Sequence, residues 1–271
     1  MFKTDEFMQK EAAYWSDVLS GELSKVNLHT DYERQYPKSM EGSSIEMPLS
    51  KEQLEQLRKI TVKHHGSIFT AFVSCINILM YMYTGQNDLI LGTVVAGRND
   101  WKLQPQIGYY LNMLPIRTKF GVNATIDEVI EATAKACTGA FENQDYPYEK
   151  IVSKVKDNKA GKDPLFDILV QYINWNDSLK DDTKMQFKIV DMKSEQSKYD
   201  LVFNFVDMDG QTKLILEYCT KLFRQETIEN MIKRLQTVMQ EVLSEENISI
   251  DKITHQLTQK EDSMKVKKIR R

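Results

Sequence analysis

The sequence contains a single pair of adjacent histidines, His64 and His65, within the stretch KHHGSIFTAF. An imidazole titrates near neutral pH, so a positioned histidine can serve as the general base of an acyl transfer. The pair also falls where the apolar spacing predicts the end of a helix, and the negative end of the helix dipole favours a positive charge there. These residues alone leave two interpretations open, a catalytic base and a helix terminus.

No second catalytic constellation is found in the sequence. His29 and His255 stand in predicted connections, without the nearby Ser, Cys or carboxylate pattern of a triad. The stretch TGQNDLILGT, residues 84–93, lacks the Lys-Ser/Thr ending of a phosphate-binding loop. The three cysteines are Cys75, Cys137 and Cys219. They form no Cys-x-x-Cys pair, so we expect free, buried thiols and no metal site.

Composition limits the classes of partner. The chain has 271 residues, 41% of them hydrophobic, which is enough for one large domain or two small ones. Its formal net charge of -3 makes nucleic acid a poor partner. The first residues lack an apolar signal core, and the most apolar run, Ile68 to Tyr83, is shorter than the roughly 20 residues of a spanning helix. We therefore expect a cytoplasmic protein without a membrane partner.

Hydrophobic periodicity predicts helices and strands that interleave without a regular βαβ repeat. Helices are predicted over 6–19, 51–65, 68–84, 126–143, 147–155 and 226–243. Strands are predicted over 45–50, 88–97, 111–120, 165–174, 185–192, 199–207 and 212–220. Capping boxes begin two helices at Ser50 and Thr125, Ser67 begins a buried one, and Gly66 and Gly85 are predicted left-handed ends. The pattern indicates the α/β class, with a mixed sheet flanked by helices.

Four polar residues stand in or beside otherwise regular segments. Asp145 precedes a helix led by proline, where its carboxylate is predicted to cap a free amide such as that of Tyr148. Asn112 lies inside an apolar strand, so its amide either braces the backbone or faces a substrate channel. Arg117 is predicted to form an ion pair at the surface or between lobes, with a phosphate ligand as the alternative. Asp200 is predicted to be a buried hydrogen-bond anchor.

Three separated stretches resemble the last three signature motifs of condensation domains from nonribosomal peptide synthetases. They are IGYYLNMLPIR (107–117), NQDYPYEKIV (143–152) and KDPLFDILVQY (162–172). Other segments agree in the same order: YW at 14–15, YTGQNDLILGTVVAGRN at 83–99, KYDLVFNF at 198–205 and LEYCTKLF at 216–223. The resemblance covers roughly residues 14 to 261, and the joint order of the motifs makes it specific.

The resemblance implies a lobe like a chloramphenicol acetyltransferase monomer, two of which make a complete condensation domain. In the family, the catalytic His-His-x-x-x-Asp-Gly motif belongs to the first lobe. Here Phe69 and Thr70 stand where that motif has Asp and Gly, so the histidine pair is interpreted as a helix end. This chain is similar to the second, C-terminal lobe alone. We divide it into an N-terminal helix and interlobe connection (1–45), the lobe (46–248) and a linker-like tail (249–271).

The resemblance also implies roles for individual residues. The predicted substrate-tunnel residues are Asn112, Tyr110 and Gly108. The predicted floor loop, residues 96–106, includes Gly97, Arg98, Asn99 and Trp101. The residues predicted to be structural are Gln144, Asp145, Pro147 and Asp200. From its own sequence, Gly108 is predicted to allow a close backbone approach or a positive φ. No catalytic residue is predicted.

The implied reaction is amide formation between thioesters held on carrier proteins. The expected partners are peptidyl and aminoacyl carrier proteins, an N-terminal condensation lobe and a neighbouring adenylation domain. No directly bound cofactor is expected, because the 4′-phosphopantetheine arms belong to the carriers. The motif around Asn112 favours condensation over epimerisation or heterocyclisation. The alternative function is a catalytically silent module that binds carriers or complements another lobe; the sequence leaves open whether this is an excised fragment or a natural half.

Overall fold

The computed structural model describes residues 5–156, 165–174, 195–208, 210–244 and 247–257. The helices are α1 (Asp5–Val18), α2 (Lys51–Lys63), α3 (Ile68–Thr84), α4 (Ile126–Glu142), α5 (Tyr148–Lys156) and α6 (Gln225–Leu243). The strands are β1 (Gly42–Leu49), β2 (Asp88–Val95), β3 (Asn112–Lys119), β4 (Ile168–Asn174), β5 (Leu201–Met208) and β6 (Gln211–Cys219). The strand predicted over 185–192 lies outside the described residues.

The six strands form one mixed sheet in the order β1-β6-β5-β4-β2-β3. β4 runs parallel to its neighbours β2 and β5, and the remaining neighbours are antiparallel. Helices cover the sheet because β2, β4 and β5 carry continuous runs of apolar side chains that must be removed from water. The predicted α/β class, a mixed sheet flanked by helices, is confirmed.

The centre of the core is α3, which is apolar nearly all round. Its Phe72 stacks on Phe205 of β5, with ring centroids 3.8 Å apart. Among the described residues, no single helix is both long enough and apolar enough to cross a membrane. The helices α2 and α3 meet those limits only when taken together, and that pair is bent by 91°.

The helix ends confirm most of the predicted caps and correct one. The capping boxes that begin α2 at Ser50 and α4 at Thr125 are both formed, and Gly85 ends α3 with φ of 69°. The residue with positive φ after α2 is His65 (φ 56°), so the left-handed end predicted at Gly66 is wrong. The helix ends at Lys63 rather than at residue 65, the left-handed residue lies one position earlier than predicted, and the Gly66 amide donates to the Thr61 carbonyl at 2.8 Å.

Both ends of the described chain pack against the core. In α1, the buried Trp15 donates from Nε1 to the carbonyl oxygen of Asn143 at 2.9 Å. At the other end, Ser249 forms a bridge with Thr125, and a short helical segment over 250–257 follows. The side chains of that segment that join the core are Ile250, Ile253 and Leu257. The first residues of the segment predicted to be linker-like are therefore packed.

Candidate functional site

The histidine pair lies at the C-terminal end of α2, where the helix-end interpretation placed it. The Nε2 atom of His64 is 3.3 Å from Oδ1 of Asp127, at the start of α4. His65 occupies the left-handed position that ends the helix. In the described part of the chain, no group of three or more His, Cys, Asp or Glu side chains could hold a metal ion.

Gly97 is the glycine that lets two segments of backbone meet. It has φ of 63°, and a Cβ atom there would lie 1.9 Å from the carbonyl oxygen of Tyr110. Gly108, where we expected a positive φ or a close backbone approach, has neither. A Cβ at Gly108 would instead meet the edge of the Tyr110 ring at 2.8 Å. The sequence identified the glycines of this loop but assigned the close approach to the wrong one.

Arg98 holds the loop of residues 96–111 together. Its Nη1 atom donates to the carbonyl oxygens of Leu103 and, at 2.7 Å, Gln106. Its Nη2 atom donates to the carbonyl oxygen of Gly108 at 3.2 Å. The guanidinium also lies over the Tyr110 ring, 4.4 Å from its centroid, and the Tyr110 hydroxyl is 2.9 Å from Oε1 of Gln106. One side chain therefore fixes the shape of most of the loop.

The outer side of the same loop is apolar and open to solvent. Trp101 is 73% exposed, Tyr109 is 86% exposed, and Ile107 is fully exposed. Leu111 is half exposed, and these four residues form what we call the apolar tip. Sequence reasoning singled out Trp101 alone. The others could have been noticed as apolar side chains that flank the glycine and tyrosine of a predicted irregular stretch.

Asn112 is a backbone brace. Its Nδ2 atom donates to the carbonyl oxygens of Gln144 (2.8 Å) and Tyr146 (2.9 Å). Its Oδ1 atom accepts from the backbone amide of Tyr148 at 3.1 Å. The Tyr148 amide, which begins α5, is therefore capped by Asn112, where the sequence predicted Asp145. The tunnel role of Asn112 stays a prediction.

Asp145 contacts the loop of residues 96–111. Its Oδ1 atom accepts from Nδ2 of Asn99 at 3.3 Å, which joins the loop to the turn between α4 and α5. In the same turn, Nε2 of Gln144 donates to the Phe141 carbonyl oxygen at 2.7 Å. Pro147 supplies the carbonyl oxygen for the first turn of α5. The segments 83–99 and 143–152, which are separate in the sequence, therefore meet at the Asn99–Asp145 contact.

Arg117 is buried, with its side chain 3% exposed. It forms a bidentate pair with Asp88, Nε to Oδ1 at 2.8 Å and Nη2 to Oδ2 at 2.7 Å. Its remaining donors bind the carbonyl oxygens of Val18, Ser20 and Glu22 at 2.7–3.0 Å. An ion pair was predicted, but not its burial. Arg117 attaches the chain that follows α1 to the sheet.

Asp200 belongs to a group of charged residues at the end of the sheet where β4 and β5 begin. We call this group the ion cluster: Lys25, Arg34, Lys38, Asp167 and Asp200. Nη1 of Arg34 lies 2.6 Å from Oδ2 of Asp200, and Nζ of Lys25 lies 3.1 Å from Oδ2 of Asp167. Lys38 contacts both carboxylates. Asp200 is thus buried and paired, as an anchor must be.

The pKa values of the two acids of the ion cluster, Asp167 and Asp200, shift in opposite directions. Burial alone would raise the pKa of Asp167, but Lys38 and Lys25 outweigh it and hold that pKa below its usual value. Burial and the neighbouring charge of Asp167 raise the pKa of Asp200, against the opposing effect of Arg34 and Lys38. Asp167 is therefore the acid whose ionisation favours the folded state.

The model of the condensation-domain family matches residues 1–264 of this sequence. This chain belongs to the condensation-domain family. Among curated proteins, tyrocidine synthase 2 of Brevibacillus parabrevis is 31% identical over 247 residues, which are 89% of this chain and 7% of that protein. Bacitracin synthase 1 of Bacillus licheniformis is 28% identical over 254 residues, 93% of this chain and 5% of that protein. The chain spans less than a tenth of the length of these relatives.

Solved structures agree on the condensation fold. The X-domain from teicoplanin biosynthesis matches with a TM-score of 0.80 and 21% identity, over 92% of this chain and 57% of that one. The four-domain nonribosomal peptide synthetase holo-AB3403, bound to AMP and glycine, matches with a TM-score of 0.76 and 20% identity. That match covers 92% of this chain and 20% of that one. The mixed sheet flanked by helices is therefore a condensation-domain fold.

The close backbone approach at Gly97 predicts that any side chain at position 97 would destabilise the protein. We expect Gly97→Ala to lower the free energy of unfolding by about 2 kcal/mol, since the positive φ is strained and the new Cβ meets the Tyr110 carbonyl. Gly121→Ala is the control, because nothing lies within 4 Å of a Cβ there. Urea unfolding measures both variants, and trypsin should cut the altered loop faster. Equal stabilities would contradict the geometry.

Asp167 predicts a pH dependence of stability. Its pKa is lowered in the folded state, so its contribution is fully present above the usual value of 3.8 and is lost as pH falls through the lowered value. We expect Asp167→Asn to lower the free energy of unfolding by about 2 kcal/mol at pH 7 and by progressively less as the pH falls below 3.8. Urea unfolding at several pH values measures the difference, and a difference that did not change with pH would contradict this assignment.

Proposed function

We propose that this chain is the C-terminal half of a condensation domain and supplies the wall and floor of a substrate tunnel. In the proposed reaction, the amine of an acceptor aminoacyl thioester attacks the donor thioester carbonyl. A C–N bond forms, the C–S bond breaks, the carrier thiol leaves and the amine loses a proton. The base that assists proton transfer would come from an N-terminal lobe. The chain is not catalytic alone in this proposal.

The observation that carries the proposal is the contrast within the loop of residues 96–111. Its inside is fixed by Arg98 and Asn99, whereas its apolar tip is open to solvent. A rigid loop that exposes large apolar side chains is suited to contact another surface. The match covers 57% of the solved X-domain chain, so that chain contains a further part of nearly comparable size. This supports a second lobe as the surface that the apolar tip would contact.

The proposed contribution of this lobe is to hold the acceptor amine and the donor thioester close together in the tunnel. Effective molarities of oriented groups can lower a barrier by about 7–11 kcal/mol in favourable cases. Tyr110, Gly108 and Asn112 would line the tunnel, and the loop with Trp101 would form its floor. The substrates would arrive on 4′-phosphopantetheine arms of carrier proteins, beside an adenylation domain, in the cytoplasm. Condensation is proposed over epimerisation and heterocyclisation.

A reconstitution experiment tests the proposal. Donor and acceptor carrier proteins loaded with simple amino acids are mixed with this chain, with and without a separately produced N-terminal lobe. Mass spectrometry of the intact carriers should show the new amide on the acceptor only when both halves are present. The control variant is Val122→Ser, an exposed apolar residue outside the apolar tip, against Trp101→Ser within it. Product that forms without this chain, or equally with Trp101→Ser, would contradict the proposal.

A silent docking module is the second candidate. The solvent-exposed apolar tip supports it, because exposed apolar side chains of this kind can also bind a carrier protein. In that case the carriers would bind this chain, but no amide would form with any N-terminal lobe. Calorimetric binding of carriers, measured alongside the reconstitution, separates the two candidates.

A further inference from the structure

Residues 33–38 form a short segment that crosses the end of the sheet at which the central strands β4 and β5 begin. On one side, the amides of Asp31 and Tyr32 donate to the Leu222 carbonyl oxygen at 2.9 and 3.2 Å. On the other, the Met40 carbonyl oxygen accepts from the amide of Ser197 at 2.8 Å. In the part of the chain that the structure describes, residues 33–38 form no backbone hydrogen bond with the sheet. This segment is attached by its side chains.

The attachment consists of charges. Arg34 and Lys38 reach down to the nearly buried carboxylates of Asp200 and Asp167. The side chains of both basic residues are 33% exposed, so their ion pairs are reached by dissolved salt. Tyr36, between them, is 70% exposed and adds little apolar burial. The free energy that keeps this segment closed therefore comes mainly from partly screened ion pairs.

A small cavity lies beneath the segment. Its volume is about 20 Å³, room for one water molecule, and its walls include Arg34, Lys38, Asp200 and Cys219. The thiol of Cys219 is buried and donates weakly to the carbonyl oxygen of Ser39, with Sγ 3.8 Å from that atom. Because Cys219 is buried, an alkylating reagent can reach its thiol only after the residues that cover it have moved.

From these contacts we infer that residues 33–38 are a flap, held closed by the Arg34 and Lys38 ion pairs, that opens locally and uncovers Asp200 and Cys219. Opening requires the loss of three ion pairs, one from Arg34 and two from Lys38, and no strand hydrogen bond. It is therefore a low-energy local event, distinct from unfolding of the lobe. Ionic strength controls the flap, since screening weakens all three pairs. The inference is independent of the proposed function.

Thiol labelling of the 271-residue chain tests the flap. The rate of N-ethylmaleimide addition is followed at each cysteine by peptide mass spectrometry. Cys75 and Cys137 report global unfolding, because both lie deep in the core and burial raises the pKa of each thiol to about 12. We expect the double variant Arg34→Gln, Lys38→Gln to label Cys219 roughly tenfold faster, without a change at the other two cysteines.

Two further measurements make the test decisive. Lys221→Gln is the matched control, because Lys221 lines the same cavity but pairs with the exposed Glu41 outside the flap. We expect less than about a twofold change for it. In the unmodified chain, 1 M NaCl should also accelerate labelling of Cys219 selectively. An unchanged Cys219 rate, or a parallel rise at all three cysteines, would overturn the inference.

Discussion

Replacing Arg117 with methionine is expected to lower the free energy of unfolding by about 3–5 kcal/mol, because hydrogen bonds from a charged donor contribute about 1–3 kcal/mol each. Methionine preserves much of the side-chain volume but none of the donors. The carbonyl oxygens of Val18, Ser20 and Glu22 would lose their charged donor, whereas the partly exposed Asp88 would keep Lys119. Urea unfolding monitored by circular dichroism measures this loss, and α1 should become more accessible to proteolysis.

Lys119→Met provides the control for this experiment. Lys119 lies 3.5 Å from the same Asp88 carboxylate, but its side chain is 58% exposed. A solvated pair of this kind contributes little, so we expect a change below about 1 kcal/mol. If the Arg117 and Lys119 variants were equally stable, the carbonyl contacts of Arg117 would not support the lobe as described.

Asn112→Ala is expected to cost about 3 kcal/mol. The amide makes three hydrogen bonds to backbone groups of the turn before α5, and each is worth about 1 kcal/mol net. Removal leaves the amide of Tyr148 and two carbonyl oxygens without this partner. Chemical denaturation measures the loss, and hydrogen exchange should rise at the start of α5.

Asn87→Ala is the matched control, with the same residue type and a single bond. Nδ2 of Asn87 donates to the carbonyl oxygen of Phe120 at 2.8 Å, so we expect a cost of about 1 kcal/mol. A cost at Asn112 no larger than that at Asn87 would show that the brace is weaker than its geometry indicates. It would then favour the channel-facing alternative for Asn112.

Elements with a clear local period were predictable from the sequence. The buried helix α3 and the capping boxes at Ser50 and Thr125 depend on residues at most a few turns apart, so their physics is contained in a short window. The left-handed residue that follows α2 lies one position earlier than predicted, because His65 adopts a conformation that glycine adopts more readily. Local propensity gave the location of that turn but not which residue takes the positive φ.

The contacts of the candidate site were less predictable, because they join distant parts of the chain. The cap of Tyr148 comes from Asn112, and the acid beside it, Asp145, turns to Asn99. Nothing in the spacing around residue 145 distinguishes these partners. Arg117 likewise finds its carbonyl partners about 100 positions earlier in the sequence. Motif resemblance identified the right segments, and only the fold assigned the bonds.

The position of β1 at one edge of the sheet has a consequence for synthesis. Its only strand neighbour among those described is β6, with Gly42 opposite Cys219 and Leu49 opposite Thr212. A ribosome adds roughly 5–20 residues each second, so β1 waits on the order of ten seconds or more for its partner. During that time its hydrogen-bonding groups and the side chains of Met47 and Leu49 remain uncovered by β6. We expect a nascent chain stopped before residue 211 to bind chaperones and a chain released after residue 257 to escape them.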